Sequence, residues 1–236
     1  MGVVLIKNLL RSAVLSTAAV FVLAGVGAAA TVTVSTQGSN AFKDTSGQNA
    51  WYQTVSYSLN GIARTAAAGL FRLTSTAADG SVTRFVSVCL EPLETLRLPK
   101  LYDESTPLGQ SVVGALGALL ANALPQVQDS KTAAAFQLAA WEIANESSGL
   151  FNLGGGAFKV GTAKSATLAL AQSWLDQIGT GAWAPETRIT ILSAAGTQDL
   201  LTDLPAEVPV PAAGLLLLGG IGGLAALGKR RQRITA

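Results

Sequence analysis

The sequence predicts an α+β fold, an antiparallel β-sheet or barrel with an inserted helical subdomain. Three observations carry that prediction. Residues 31 to about 98 are rich in Thr, Ser, Val and aromatics, and are punctuated by Asn60-Gly61 and Asp79-Gly80, dipeptides that turn hairpins. Beyond Leu101, Ala and Leu take over at helical spacing. A β-branched stretch at 187–193 then brings the chain back to a strand.

Taken in order, residues 55–59 alternate as a half-buried strand does, and 69–74 form the next strand, which the Asp79-Gly80 turn hands to a partner at 82–90. In that partner Phe85, Ser87 and Cys89 share one face, while Val86, Val88 and Leu90 share the other. Cys89 falls at a strand end, because Pro92 has no amide hydrogen to continue a ladder. Residues 111–124 read as a helix ended by Pro125. Asp129 or Ser130 caps a second helix from Lys131 to about Asn145, and 164–178 make a third. Gly154-Gly155-Gly156 reads as a flexible loop.

The two ends differ from this middle. Lys7 and Arg11 precede an apolar run at 13–26 that closes on Gly27-Ala28-Ala29-Ala30. A charged n-region, an h-region and an Ala-x-Ala site make residues 1–30 a signal peptide cleaved after Ala30. At the other end Val208, Pro209, Val210 and Pro211 form an extended break, since proline cannot enter a helix interior. Residues 212–227 then run without a charge into Lys229, Arg230, Arg231 and Arg233. Such a helix barely covers a bilayer core of about 30 Å, and its basic flank keeps the terminus cytoplasmic. The expected organisation is therefore 1–30 signal peptide, 31–205 folded domain, and 206–236 membrane-embedded sorting tail.

Composition excludes several kinds of chemistry. The leader holds two of the sixteen basic residues and the tail four, which leaves ten against thirteen acidic residues at 31–205. The domain is mildly acidic and has no basic stripe, so nucleic acid is not an expected partner. With no histidine, the Ser-His-Asp and Cys-His arrangements and most catalytic metal sites disappear together. There is no glycine-rich phosphate loop, and neither a cofactor nor a metal is implied. The one cysteine, Cys89, has no partner for a disulfide within the chain. In an exported protein a lone thiol is either a small buried core residue, a dimer bond or special chemistry.

Gln137 is the other anomaly. Its helical neighbours at three and four residues are Ala133, Ala134, Ala140 and Trp141, so a polar amide sits on an apolar face. A buried amide must find partners or destabilise the fold. Either it bonds to backbone, or it has been consumed in a reaction.

Two resemblances bear on these residues. The tail, reading Val-Pro-Val-Pro-Ala before its apolar run and basic cluster, resembles the PEP-CTERM sorting signal, in which Glu commonly stands between the prolines. That resemblance implies handling by an exosortase-type enzyme in a Gram-negative bacterium that makes exopolysaccharide. The segments Val88-Cys89-Leu90-Glu91-Pro92 and Phe136-Gln137-Leu138-Ala139-Ala140-Trp141-Glu142-Ile143 resemble the two signatures of the bacterial thioester (TQXA) domain of surface adhesins, with Phe136 where that motif has Thr. The resemblance implies that Cys89 supplies the sulfur and Gln137 the acyl group of an internal thioester. An amine- or hydroxyl-bearing surface protein or polysaccharide would then become covalently attached, once per molecule, without turnover. Glu91 and Glu142, each beside a motif residue, are the candidates to move protons, and Trp141 is the candidate lid against water. Two other readings stand beside this one. One is a non-covalent structural or adhesive matrix module with a buried Cys89, and the other is a glycan hydrolase using Glu91 with Glu142.

Overall fold

A computed structural model describes residues 31–43, 51–105, 107–146 and 149–205, which fall within one compact unit. Ala30 with the expected signal peptide, and Val208 to Pro211 with the expected membrane tail, lie outside the described residues. No helix among the described residues is long and apolar enough to cross a membrane.

The elements run β1 (Thr31–Thr36), β2 (Tyr52–Leu59), β3 (Ile62–Gly69), β4 (Phe71–Thr76), β5 (Val82–Cys89), β6 (Lys100–Ser105), α1 (Gln110–Ala123), α2 (Ser130–Asn145), β7 (Phe158–Thr162), α3 (Ser165–Gly179), β8 (Thr190–Ser193) and β9 (Leu200–Thr202). The fold is α+β. Six strands close an antiparallel barrel in the order β1-β4-β5-β9-β8-β6, and β3-β2-β7 form a separate three-stranded sheet. The helices pack on one another, and α2 also lies against all three strands of the small sheet and against β5.

Local chemistry explains most of these boundaries. Asn60 and Gly61 take φ of 49° and 82°, the left-handed pair that a two-residue hairpin between β2 and β3 requires. Of the two caps that the sequence allowed for α2, Asp129 is used. Its carboxylate accepts from the Thr132 amide at 2.7 Å, and the Thr132 hydroxyl accepts from the Asp129 amide at 3.1 Å. Helix α1 ends at Ala123, and Pro125 sits in the single 3-10 turn that follows.

The structure departs from expectation in the strands. Strand β6 lies where helical composition had begun, yet Tyr102 is fully buried while Leu101 and Asp103 on either side are exposed. That alternation over a few residues outweighs composition. The glycine loop at 154–156 leads straight into β7, which pairs with β2. The expected strand at 187–193 is shorter, and β9 joins it to close the barrel.

One departure positions everything that follows. The expected strand at 69–74 is broken, because Gly69 ends β3 opposite Tyr52 while Phe71 begins β4 opposite Ser87. The chain thus changes sheets at Leu70. If the β4–β5 register continued two residues further, Gly69 would stand opposite Cys89; instead the strand has turned into the small sheet. Glycine is required there, since a Cβ at residue 69 would run into the Trp51 carbonyl and lie 2.7 Å from Tyr52 Cα. Gly69→Ala is expected to lower stability by about 2 kcal/mol through this overpacking, read as a lower urea midpoint with unchanged slope.

Candidate functional site

Cys89 is the last residue of β5, and β9 pairs it with Leu200 on one side. Its main-chain groups on the other side meet the side chain of Gln137, which comes from the third turn of α2. The Cys89 amide donates to Gln137 Oε1 at 3.0 Å, and Gln137 Nε2 donates to the Cys89 carbonyl at 2.7 Å. The glutamine amide thus replaces the neighbouring strand that turned away at Leu70. The two residues singled out in the sequence, 48 positions apart, are in direct contact.

Trp141, one turn further along α2, donates its indole N–H to Cys89 Sγ at 3.5 Å. Its ring lies 5.1 Å from Tyr57 of β2 and 5.9 Å from Phe158 of β7, centroid to centroid. The Tyr57 hydroxyl donates to the Pro92 carbonyl just beyond the cysteine. Cys89 and Gln137 are each 1% exposed and Trp141 is 2% exposed, so water is excluded from the sulfur and the amide carbon alike.

Burial pushes the Cys89 thiol up to about 12. Hydrogen bonds from the Trp141 indole and the Glu91 amide work in the opposite direction, while the Glu91 and Asp199 carboxylates raise it further. Glu91 therefore lies within electrostatic reach of the sulfur. Its own carboxyl is raised, by burial first, and accepts from the Asp199 amide at 2.9 Å.

Glu142 is placed differently. It follows Gln137 by five residues, about 140° around the helix, and its Oε1 accepts from the Asn152 amide at 2.6 Å. Its function at this position is to pin the loop that follows α2. Of the acid pair that a hydrolase would need, Glu91 thus accepts from the Asp199 amide and Glu142 from the Asn152 amide.

Sequence reasoning missed Tyr57, Phe158, Asn145 and Asp199. Only Asn145 carried a signal, since it continues the Gln137–Trp141 stripe at the next fourth position of α2. It donates to the carbonyls of Leu90 at 3.1 Å and of Trp141 at 2.9 Å. No protein-family model, curated protein or solved structure matches the chain.

The arrangement has a defined chemical capacity. A hydrogen bond from the Cys89 amide to Oε1 is aimed where negative charge develops if a nucleophile attacks the amide carbon. The nucleophile beside it is the thiol of the same residue, held by two donors that favour its ionised form.

Glu142 provides a pH test. Burial raises its carboxyl to about 7, the Asn152 amide lowers it, and Glu146 raises it; its Oε2 has no hydrogen-bond partner. The folded carboxyl keeps its proton to higher pH than the unfolded one. Its contribution is fully present below the ordinary carboxyl range and is lost as pH rises through about 7. Thermal unfolding of Glu142→Gln should therefore match the wild type near about pH 4, and exceed it at about pH 8, where the wild type carries a buried charge.

Proposed function

We propose that the chain is an exported surface or matrix protein that binds a partner covalently through an internal thioester between Cys89 and Gln137. The observation that carries this reading is the clamp of the Gln137 amide on both main-chain groups of Cys89, the residue that bears the thiol. Amide and thiol in solution do not react at a useful rate, but two rigid elements that fix them together supply a large effective molarity.

The reaction balances within the site. The thiol gives up its proton, Sγ bonds to Gln137 Cδ, the Cδ–Nε2 bond breaks, and ammonia leaves with that proton. The Cys89 amide stabilises the charge on Oε1 during the attack. Glu91, raised by burial and electrostatically coupled to Cys89, is the proposed proton carrier at the sulfur. The acyl group is then an electrophile kept dry by Trp141, Tyr57 and Phe158. An incoming amine or hydroxyl bonds to Cδ, the Sγ–Cδ bond breaks, and the nucleophile's proton ends on Cys89. Each molecule acts once, so this is attachment rather than catalysis.

The non-covalent matrix module remains a second reading, and a specific observation favours it. The same two hydrogen bonds satisfy Gln137 as a structural bridge, and a thiol raised to about 12 is an inert core group. Export by the signal at 1–30 and sorting by the tail at 206–236, through the inner membrane to the cell surface or extracellular matrix, serve either reading.

Intact mass separates them. Chain kept from amines and base should be lighter than its formula by one ammonia, methylamine should add at Gln137, and Cys89→Ala should show its full mass. Full mass in the wild type, with one maleimide-reactive thiol on unfolding, leaves only the non-covalent module. N-terminal sequencing of the exported protein should begin at Thr31.

A further inference from the structure

We infer that Asn145 is a positioning residue for the Cys89 sulfur, acting through the peptide that joins Leu90 to Glu91. The inference rests on the thioester reading and adds to it the residue that aims a donor at the attacking atom. A peptide unit is planar, with its carbonyl and amide hydrogen pointing in opposite directions. Asn145 Nδ2 holds the Leu90 carbonyl at 3.1 Å. The amide at the far side of that unit belongs to Glu91, and it acts to lower the Cys89 thiol beside the Trp141 indole that donates to Sγ.

The neighbouring peptides are held in the same manner. Gln137 Oε1 takes the Cys89 amide, and Gln137 Nε2 bonds the Cys89 carbonyl, whose own peptide donates through Leu90 N–H to the Asp199 carbonyl at 2.9 Å. Of three consecutive peptides around the sulfur, Gln137 holds two and Asn145 the third, both from one face of α2. Asn145 is itself fixed by its second bond, to the Trp141 carbonyl one turn back. A carbonyl that accepts a hydrogen bond polarises its peptide and strengthens the amide opposite. Orientation and polarity therefore act together on the thiolate that must form before attack. The titratable groups that face the sulfur are Glu91, Asp199, Tyr57 and Tyr102; Asn145→Ala alters none of them, whereas Asn145→Asp adds a carboxylate, so displacement of the pH profile is read from Asn145→Ala.

The test is refolding of the full chain from urea over a range of pH, with loss of ammonia followed by intact mass. Asn145→Asp keeps the side chain's shape but presents an acceptor to the Leu90 carbonyl, and Asn145→Ala removes the contact. Both should form the thioester about tenfold more slowly, and the half-maximal rate of Asn145→Ala should lie at higher pH. If the wild type loses no ammonia, the thioester reading fails and takes this inference with it. If the wild type reacts and Asn145→Ala matches its rate and pH profile, the inference alone is overturned. A variant that melts earlier but keeps the wild-type pH profile also overturns it, because Asn145 would then serve only stability.

Discussion

The site depends on one open place in a hydrogen-bonded ladder. Strand β5 is paired with β4 as far as Ser87 and with β9 from Ser87 to Cys89, but β4 leaves for the other sheet at Leu70, and Cys89 has no strand neighbour on that side. A buried amide and carbonyl without partners would each cost about 1–3 kcal/mol. The group that fits must offer one acceptor and one donor at the spacing of a peptide, and a side-chain amide does so. Gln137 is thus fixed by the requirements of the sheet before any chemistry is considered. The crossing that removes β4 is the crossing that Gly69 permits.

Burial acts on this pair in two opposed ways. It holds the thiol protonated, up to about 12, and so resists formation of the nucleophile. In the proposed thioester it would also keep water from the acyl group. The indole of Trp141 and the Glu91 amide offset the first effect without weakening the second, because both are donors contributed from within the packed wall. Carboxylates at Glu91 and Asp199 oppose them. For the proposed attack, this balance would favour a proton that leaves only once sulfur and amide are aligned.

Much of this was legible in sequence, for identifiable reasons. The helices follow from spacing and from Asp129 and Pro125, which act within a few residues of themselves. Cys89 at a strand end and Gln137 among alanines were both visible as residues out of place. The meeting of the two was carried only by resemblance, since 48 residues separate them and no local rule brings them together. Strand β6 was obscured by composition, and β9 is only three residues long. Glu142 was a candidate proton carrier because it lies next to Trp141; it stands five residues past Gln137, about 140° around the helix. Asp199 reaches the cysteine through the pairing of β5 with β9, which pattern in either segment alone does not specify.

That rotation divides the duties of α2 between adjacent residues. Gln137, Trp141 and Asn145 form the stripe that holds the cysteine, its sulfur and the peptide beyond it. Glu142 and Glu146 form the next stripe and accept from the amides of Asn152 and Ala157, at the two ends of the loop that leads into β7. The first residue of β7 is Phe158, whose ring packs against both Trp141 and Tyr57. One helix therefore grips Cys89 and its flanking peptides on one face and, on the other, anchors the segment that covers them. A change in the charge of Glu142 would be felt at the cover, through the Asn152 amide it holds and the loop that leads to the three packed rings.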